Sequence, residues 1–369
     1  MVLKRILGWS AGAIAVALLA AFLLAYWTSG NTCGRPGAVH GALMKAIIYC
    51  DYGSADVLKF ADIEKPTPTE DQVLVRVHAA SVNPLDWHYM RGTPSIVRLS
   101  AGLRKPSEVR LGVDYAGTVE AVGSRVKQFK PGDEVFGGRD GAFAQYVVAR
   151  EDRAIALKPA SLTFEQAAAV PIAAITALQG LRDTGKVQAG QKVLINGASG
   201  GVGTFAVQIA KSFGAEVTGV TSTKNVAMVQ SIGADHVIDY TRTDYTQGAE
   251  PYDLIFDCVG NRTLLENRQV LKPKGVYIGI GGGGPSEGGL IGPLIGPIKE
   301  FMLSPFVSQK FVTFFAQLTK QDLTVLSNLM QSGKVTPVID RRYKLSDTAD
   351  AIRYLEAGHA RGKVVITVE

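Results

Sequence analysis

Cysteine is scarce in this chain. Among 369 residues there are three, Cys33, Cys50 and Cys258, far apart and with no C-x-x-C pair. Such spacing argues against a disulfide framework and a structural thiolate zinc site, and reads as unpaired core or surface thiols. The five histidines are scattered and supply no alternative metal-ligand set. No arginine-rich run with interleaved aromatics occurs, which argues against a nucleic-acid partner. No internal repeat is visible. The net charge of +6 is modest and suits anionic cofactors or anionic lipid headgroups. A chain that is 46% hydrophobic and 20% charged is globular with some apolar excess, and it is too long for one ordinary core, so two domains are expected.

An uncharged stretch runs from Ile6 to Trp27 behind Lys4 and Arg5. As a helix it would span ~33 Å, enough to cross a bilayer core, with Tyr26 and Trp27 at the interface. No clean A-x-A site follows, so a retained single-pass anchor over residues 6–27 is preferred to a cleaved signal peptide. Lys4 and Arg5 favour a cytoplasmic N-terminus and an exported remainder. The demand for a reduced cofactor favours a cytoplasmic catalytic part, and the second argument is given more weight. Residues 28–43, rich in Gly, Ser, Asn and Pro, read as a linker.

From Lys45 to about Leu157 come short strand-like runs at 45–49, 72–80, 115–122, 134–136 and 142–148. Beyond Ala167 the texture changes. Apolar strands at 192–195, 216–220, 237–238, 254–257 and 276–280 alternate with helical segments such as 203–213 and 226–232, which implies a parallel sheet with covering helices. After Leu323 come a helix, short strands, a helix at 347–357 and a closing strand at 364–368. The fold class is therefore α/β, a β-rich domain interrupted by a doubly wound one.

The strongest motif is 192–203, Lys-Val-Leu-Ile-Asn-Gly-Ala-Ser-Gly-Gly-Val-Gly. An apolar strand enters a glycine turn from which a helix opens. Ala198, Ser199, Gly200, Gly201, Val202 and Gly203 form the dinucleotide fingerprint with alanine in first place. Glycines there permit a tight turn, close approach to a pyrophosphate and helix–strand contact. The helix N-terminus adds N–H groups and a positive dipole end, and Gly214 is a natural C-cap. At the end of the next strand, where NAD-preferring sites place an acid, stands Thr221-Ser-Thr-Lys-Asn225. Hydroxyls and an ammonium suit a 2′-phosphate, so NADPH is the expected cofactor; Ser222 as a helix cap and Lys224 as a solvated charge is the alternative.

Several runs together resemble the medium-chain dehydrogenase/reductase superfamily, in its zinc-independent, quinone oxidoreductase-like (zeta-crystallin-like) branch. They are 79–86 (Ala-Ala-Ser-Val-Asn-Pro-Leu-Asp), 111–117 (Leu-Gly-Val-Asp-Tyr-Ala-Gly), 129–136 (Phe-Lys-Pro-Gly-Asp-Glu-Val-Phe), 197–203 and 358–363 (Gly-His-Ala-Arg-Gly-Lys). The resemblance covers Met44 to Glu369. It implies a GroES-like catalytic domain over 44–168, a Rossmann NADPH-binding domain over 169–312 and a return to the catalytic domain over 313–369, with 1–43 as anchor and linker. It places Thr176 by the nicotinamide and Ser222, Lys224 and Tyr240 on the 2′-phosphate. Val259, Gly279 and Gly281 fall on the nicotinamide-ribose side, and Lys363 near the cofactor.

Zinc-dependent relatives carry a thiolate where this chain has Asn83, and Gly-His-Glu where it has 112–114, Gly-Val-Asp. The four-cysteine lobe is missing too, so no metal is expected. Without a Lewis acid, hydride delivery to an electron-poor acceptor, a quinone or an α,β-unsaturated carbonyl, is easier than alcohol oxidation. Asn83 is a candidate hydrogen-bond donor to the acceptor oxygen, Asp86 an orienting group and His88 a proton relay. The apolar stretch 298–315 reads either as a lid for a lipophilic acceptor or as a packed helix and homodimer contact. The competing functions are a non-catalytic NADPH-binding protein and, more remotely, an alcohol dehydrogenase.

Overall fold

The computed structural model describes residues 20, 23, 24, 26–31, 33, 41–248, 251–280 and 307–369. Its β-rich half opens with an antiparallel pair, β1 (Leu43–Ile48) and β2 (Lys59–Glu64). The main sheet of this half has seven strands: β3 (Gln72–Val82), β4 (Asp114–Val122), β5 (Glu134–Gly138), β6 (Tyr146–Arg150), β7 (Ile155–Leu157), β14 (Ile339–Lys344) and β15 (Lys363–Thr367). They run β14-β15-β3-β4-β5-β7, with β6 also paired to β3. The chain therefore returns from the far end of the sequence to complete this sheet.

The second sheet is wholly parallel and runs β10-β9-β8-β11-β12-β13. Its strands are β8 (Lys192–Asn196), β9 (Glu216–Thr221), β10 (His236–Asp239), β11 (Tyr252–Asp257), β12 (Leu271–Ile280) and β13 (Lys310–Phe314). In chain order this is the 3-2-1-4-5-6 arrangement of the Rossmann fold, and its switch point lies between β8 and β11. Val193, Leu194 and Ile195 on β8 have no exposed surface. A parallel strand covered on both faces has no polar side, which is why this stretch reads as a continuous apolar run. Burying each such side chain contributes roughly 1.5–3 kcal/mol.

Several sequence expectations change. The stretch 298–315 is not a helix where it is described, because Lys310–Phe314 is the edge strand β13. A boundary at 312/313 would cut that strand, and 281–306 lie outside the described residues. The helix Lys320–Gln331 packs Leu323, Leu326 and Met330 into the same core as the Rossmann strands.

Cys33 and Cys50 are not free thiols. They form a disulfide with Cα atoms 5.6 Å apart. Sequence spacing could not show this, because the pairing needs the segment before β1 to lie against the strand's far end.

The membrane anchor is withdrawn, and with it the single-pass placement and the cytoplasmic catalytic part. Among the described residues no helix is long and apolar enough to cross a membrane, and most of 6–27 lies outside them. Where that stretch ends, the chain is held on the β-rich half. Arg104 N–H donates to Ser29 Oγ at 3.4 Å and Asn31 Nδ2 to the Cys50 carbonyl at 2.7 Å. Trp27 lies under the Arg104 guanidinium, 5.7 Å away. The 28–43 run is thus no free linker at Asn31 and Cys33.

Thiol titration in denaturant without reductant should count one reactive thiol per chain, Cys258, and three after reduction. Three at the outset would refute the disulfide.

Candidate active site

The glycine turn after β8 is built by steric exclusion. Gly197 has φ +82°, a left-handed conformation that favours glycine. A Cβ on Gly203 would lie 2.0 Å from the Gly197 carbonyl oxygen, so only glycine lets the helix Gly201–Ser212 close on the strand. Ala198 is fully buried. The outer side of the loop is open by contrast. A Cβ on Gly200 would meet only the Gly197 oxygen at 3.3 Å, and one on Gly201 the Lys363 Cδ at 3.3 Å. This side carries the backbone N–H groups of a helix start, a feature that suits an anion such as a pyrophosphate.

The β9 end supplies the next part of the cradle. Thr221 Oγ1 donates to Ser199 Oγ at 2.8 Å, and Asn225 Nδ2 donates to Ser199 Oγ and Ser222 Oγ, both at 3.2 Å. Lys224 is exposed, and Tyr240 is 54% exposed. The nearest acid, Asp239 at the end of β10, is engaged by Thr223 Oγ1 at 2.5 Å and Thr241 Oγ1 at 2.7 Å.

On the other side of the switch point, Val259 is half-exposed on a turn whose backbone is held by Asp257. The Asp257 Oδ1 accepts from Val259 N, Gly260 N and Asn196 Nδ2, each at 2.9 Å, and its Oδ2 accepts from the Tyr277 hydroxyl at 2.9 Å. Gly279 lies on β12 beside this turn. Gly281 is outside the described residues.

The two halves meet on the glycine loop. Gly362 N–H donates to the Ser199 carbonyl at 2.9 Å, and Gly362 bridges Gly200 in parallel register. Lys363, the next residue, passes beneath Gly201 into a buried polar cluster. Its Nζ donates to Asn83 Oδ1 and lies 3.4 Å from the Val82 carbonyl and 3.5 Å from Asp114 Oδ2. Asn83 Nδ2 donates to Asp114 Oδ2 at 2.9 Å and to the Ser81 carbonyl at 3.3 Å. Ser81 Oγ donates to the same Asp114 oxygen at 3.1 Å. Asp114 Oδ1 accepts from Ile172 N at 3.0 Å, at the start of the helix Pro171–Gln179. One turn on, Thr176 Oγ1 donates back to the Ile172 carbonyl at 2.6 Å.

Asp86 and Asn83 begin the helix Pro84–Arg91, where Asp86 Oδ2 accepts from Asn83 N at 2.7 Å. The other Asp86 oxygen is buried with no hydrogen-bond partner. Burial pushes the Asp86 carboxyl up to about 8, with Asp114 adding and Asn83 N–H and Lys363 opposing. Burial likewise raises Asp114, against the pull of Lys363 and Asn83, and lowers Lys363.

The structure thus brings Asn83, Asp86, Lys363 and the Thr176 helix together, but not His88. The His88 Nδ1 faces the Thr93 carbonyl at 2.6 Å and its ring stacks on Trp87 at 3.7 Å. Burial lowers its pKa, which favours the neutral imidazole. Among the described residues it makes no hydrogen bond to the cluster. Sequence reading missed Asp114, Asp257, Asn196 and Asn225 as site residues. The available signal for Asp114 was an acid inside the apolar run 111–117. Asn83 and Val113 offer no thiolate or imidazole, and among the described residues no group of three His, Cys, Asp or Glu could hold a metal.

A glycine cradle with a hydroxyl- and ammonium-bearing β9 end, docked on a second β-rich domain, defines an NADP(H)-dependent oxidoreductase. Two family models match: "Zinc-binding dehydrogenase" over residues 232–366 and "Alcohol dehydrogenase GroES-like domain" over 69–159. The chain is 36% identical over 338 residues to the 2-methylene-furan-3-one reductase of Solanum lycopersicum, covering 88% of this chain and 79% of that one. Identity and coverage are the same for the NADPH-dependent alkenal/one oxidoreductase of Arabidopsis thaliana. The Escherichia coli quinone oxidoreductase complexed with NADPH superposes with a TM-score of 0.75 at 27% identity, covering 88% of this chain and 99% of that one. The chain belongs to the medium-chain dehydrogenase/reductase superfamily, among its quinone and alkenal oxidoreductase-like members.

Asp86 carries a pH signature. Its folded pKa, about 8, is raised above the unfolded value near 4, so between these limits the folded state holds a proton that the unfolded state lacks. Its contribution to stability is lost as pH rises through that window. The melting temperature of Asp86→Asn should fall less than that of the parent between pH 5 and 8. Parallel curves would show an ionised Asp86.

Proposed function

We propose that this protein uses NADPH to reduce quinones or α,β-unsaturated carbonyls without a metal. The observation that carries this reading is the docking of Gly362 and Lys363 on the glycine loop. It sets the cofactor cradle against a buried polar cluster, at positions where zinc-using relatives carry ligands and this chain carries Asn83 and Val113. The relatives' names point to the same class of acceptor: a methylene-furanone, alkenals and a quinone.

When bound, NADPH supplies the hydride, which an electron-poor double bond accepts without a Lewis acid. The chain contributes position. Both N–H groups of Asn83 are committed to Asp114 and Ser81, so we assign Asn83 to holding Lys363 and Asp114 rather than to binding the acceptor oxygen. Asp114 ties the Ile172 N–H, and so the helix bearing Thr176, to the end of β3. Asp86 anchors the Asn83 backbone. His88 is assigned to the turn at Thr93, not to a proton relay. Ser199 to Gly203 carry the pyrophosphate, and Ser222, Lys224 and Tyr240 the 2′-phosphate. Val259 and Gly279 border the nicotinamide ribose. Held this way, the reacting atoms meet in one orientation, which lowers the barrier to hydride transfer, and the enolate or hydroquinone anion that results takes its proton from solvent.

The test is the loss of NADPH absorbance with a panel of alkenals, quinones and, with NADP⁺, alcohols. Turnover is expected with the first two. NADPH binding without turnover on any acceptor would instead mark a non-catalytic NADPH-binding protein. In the same assay Lys224→Ala should lower kcat/KM for NADPH about tenfold, the worth of one charge-assisted hydrogen bond at an exposed site. The value for NADH should stay close to the parent's.

A further inference from the structure

We infer that Asn225, a residue with no direct place in the cradle, sets the preference for a 2′-phosphorylated cofactor by orienting the hydroxyls of Ser199 and Ser222. This inference rests on the NADPH reading above.

A phosphate dianion only accepts hydrogen bonds, so its site must present donors. Each hydroxyl of the β9 end has a single hydrogen to give. Thr221 gives its hydrogen to Ser199 Oγ, and Thr223 gives its hydrogen to the Asp239 carboxylate. That leaves the hydroxyl of Ser222 and that of Ser199, whose backbone alone is assigned to the pyrophosphate. Ser199 Oγ accepts from Thr221 and from Asn225 Nδ2, and Ser222 Oγ accepts from Asn225 Nδ2. An oxygen that is already accepting is free to turn its own hydrogen outward. One amide NH₂, spending both its hydrogens, therefore makes outward donors of two serines.

The orientation of the amide follows from burial. Asn225 is 5% exposed, and its Oδ1 is buried with no partner. The reverse orientation would bury two N–H donors without acceptors, a larger loss than one unpaired carbonyl oxygen. It would also draw both serine hydrogens inward, away from a ligand.

Asn225→Asp has nearly the same shape and the opposite hydrogen-bonding sense. Its carboxylate accepts from Ser199 and Ser222, turns their hydrogens inward and adds a negative charge beside the phosphate. Fluorescence titration of the full chain with NADPH and NADH measures binding apart from turnover. Displacement by adenosine 2′,5′-bisphosphate and by 5′-AMP isolates the adenosine end. Asn225→Asp should weaken NADPH and the bisphosphate roughly tenfold or more, and NADH and 5′-AMP by no more than about threefold. Asn225→Ala, with no added charge, should shift the same ratio by a smaller factor. Ser222→Ala should cost little further NADPH affinity in the Asn225→Asp background, since the hydroxyl it removes has already turned away.

An equal loss for both cofactors would make Asn225 a packing residue and overturn the inference, and so would no loss for either. Parent protein that fails to bind NADPH would sink the cofactor reading itself, a result distinct from a parent that binds while the variants show no selectivity.

Discussion

Asp114 has no exposed surface, yet one carboxylate takes hydrogen bonds from β3 through Ser81, from the cap of the next helix through Asn83 and from the helix Pro171–Gln179 through Ile172 N, and lies 3.5 Å from the Lys363 ammonium. Three parts of the chain far apart in sequence are thereby held at one point. A buried charge is costly unless its lone pairs are filled, and a buried pair stripped of one partner loses on the order of 3–5 kcal/mol. The arrangement therefore tolerates little play: β15, the end of β3 and the Thr176 helix keep their places relative to one another or the carboxylate loses its donors. Since Gly362 and Lys363 also sit on the glycine loop, that constraint reaches the cofactor cradle.

The cradle itself divides the work between backbone and side chains. The loop from Gly197 to Gly203 acts through what is missing, a Cβ, and through backbone N–H groups that any chain could supply in this shape. In the function proposed above, discrimination between cofactors falls to side chains at the β9 end, where hydroxyl direction rather than charge alone decides which oxygens are welcome. Asp257 does the corresponding work on the far side of the switch point. It sacrifices a buried carboxylate to fix the Val259 turn through two backbone N–H groups. In both places a polar residue one step removed from the ligand spends its own hydrogen-bonding capacity on orientation, which is how a site is made rigid before anything binds.

Much of this was legible in the residues. The β8 strand, glycine turn, following helix and Gly214 cap have local causes: apolar burial, steric exclusion at glycine and left-handed backbone. The structure keeps them, shifting the helix start from Gly203 to Gly201. The strands at 72–80 and 115–122 were legible too, since alternation and turn residues mark them. Strand β13 was not, because its apolar residues at an edge look the same as a helix face until β12 lies beside them. The first 43 residues misled for a related reason. Hydropathy measures what a segment would gain in a bilayer, and it carries no information about the disulfide, the Asn31 hydrogen bond or the Arg104 contact that hold the segment's end against β1.

What the residues determined alone was the cofactor class and the two-domain α/β plan, because both rest on short-range rules of turn, period and helix capping. Only the tertiary structure decided the roles inside the site. Whether Asn83 is a free donor depends on Asp114, 31 positions on, and whether its carbonyl oxygen is a free acceptor depends on Lys363, 280 positions on. Whether Asp86 is charged depends on how completely the cluster is buried. Hydrogen-bond capacity is a property of residue type, but its expenditure depends on which neighbours three-dimensional packing supplies.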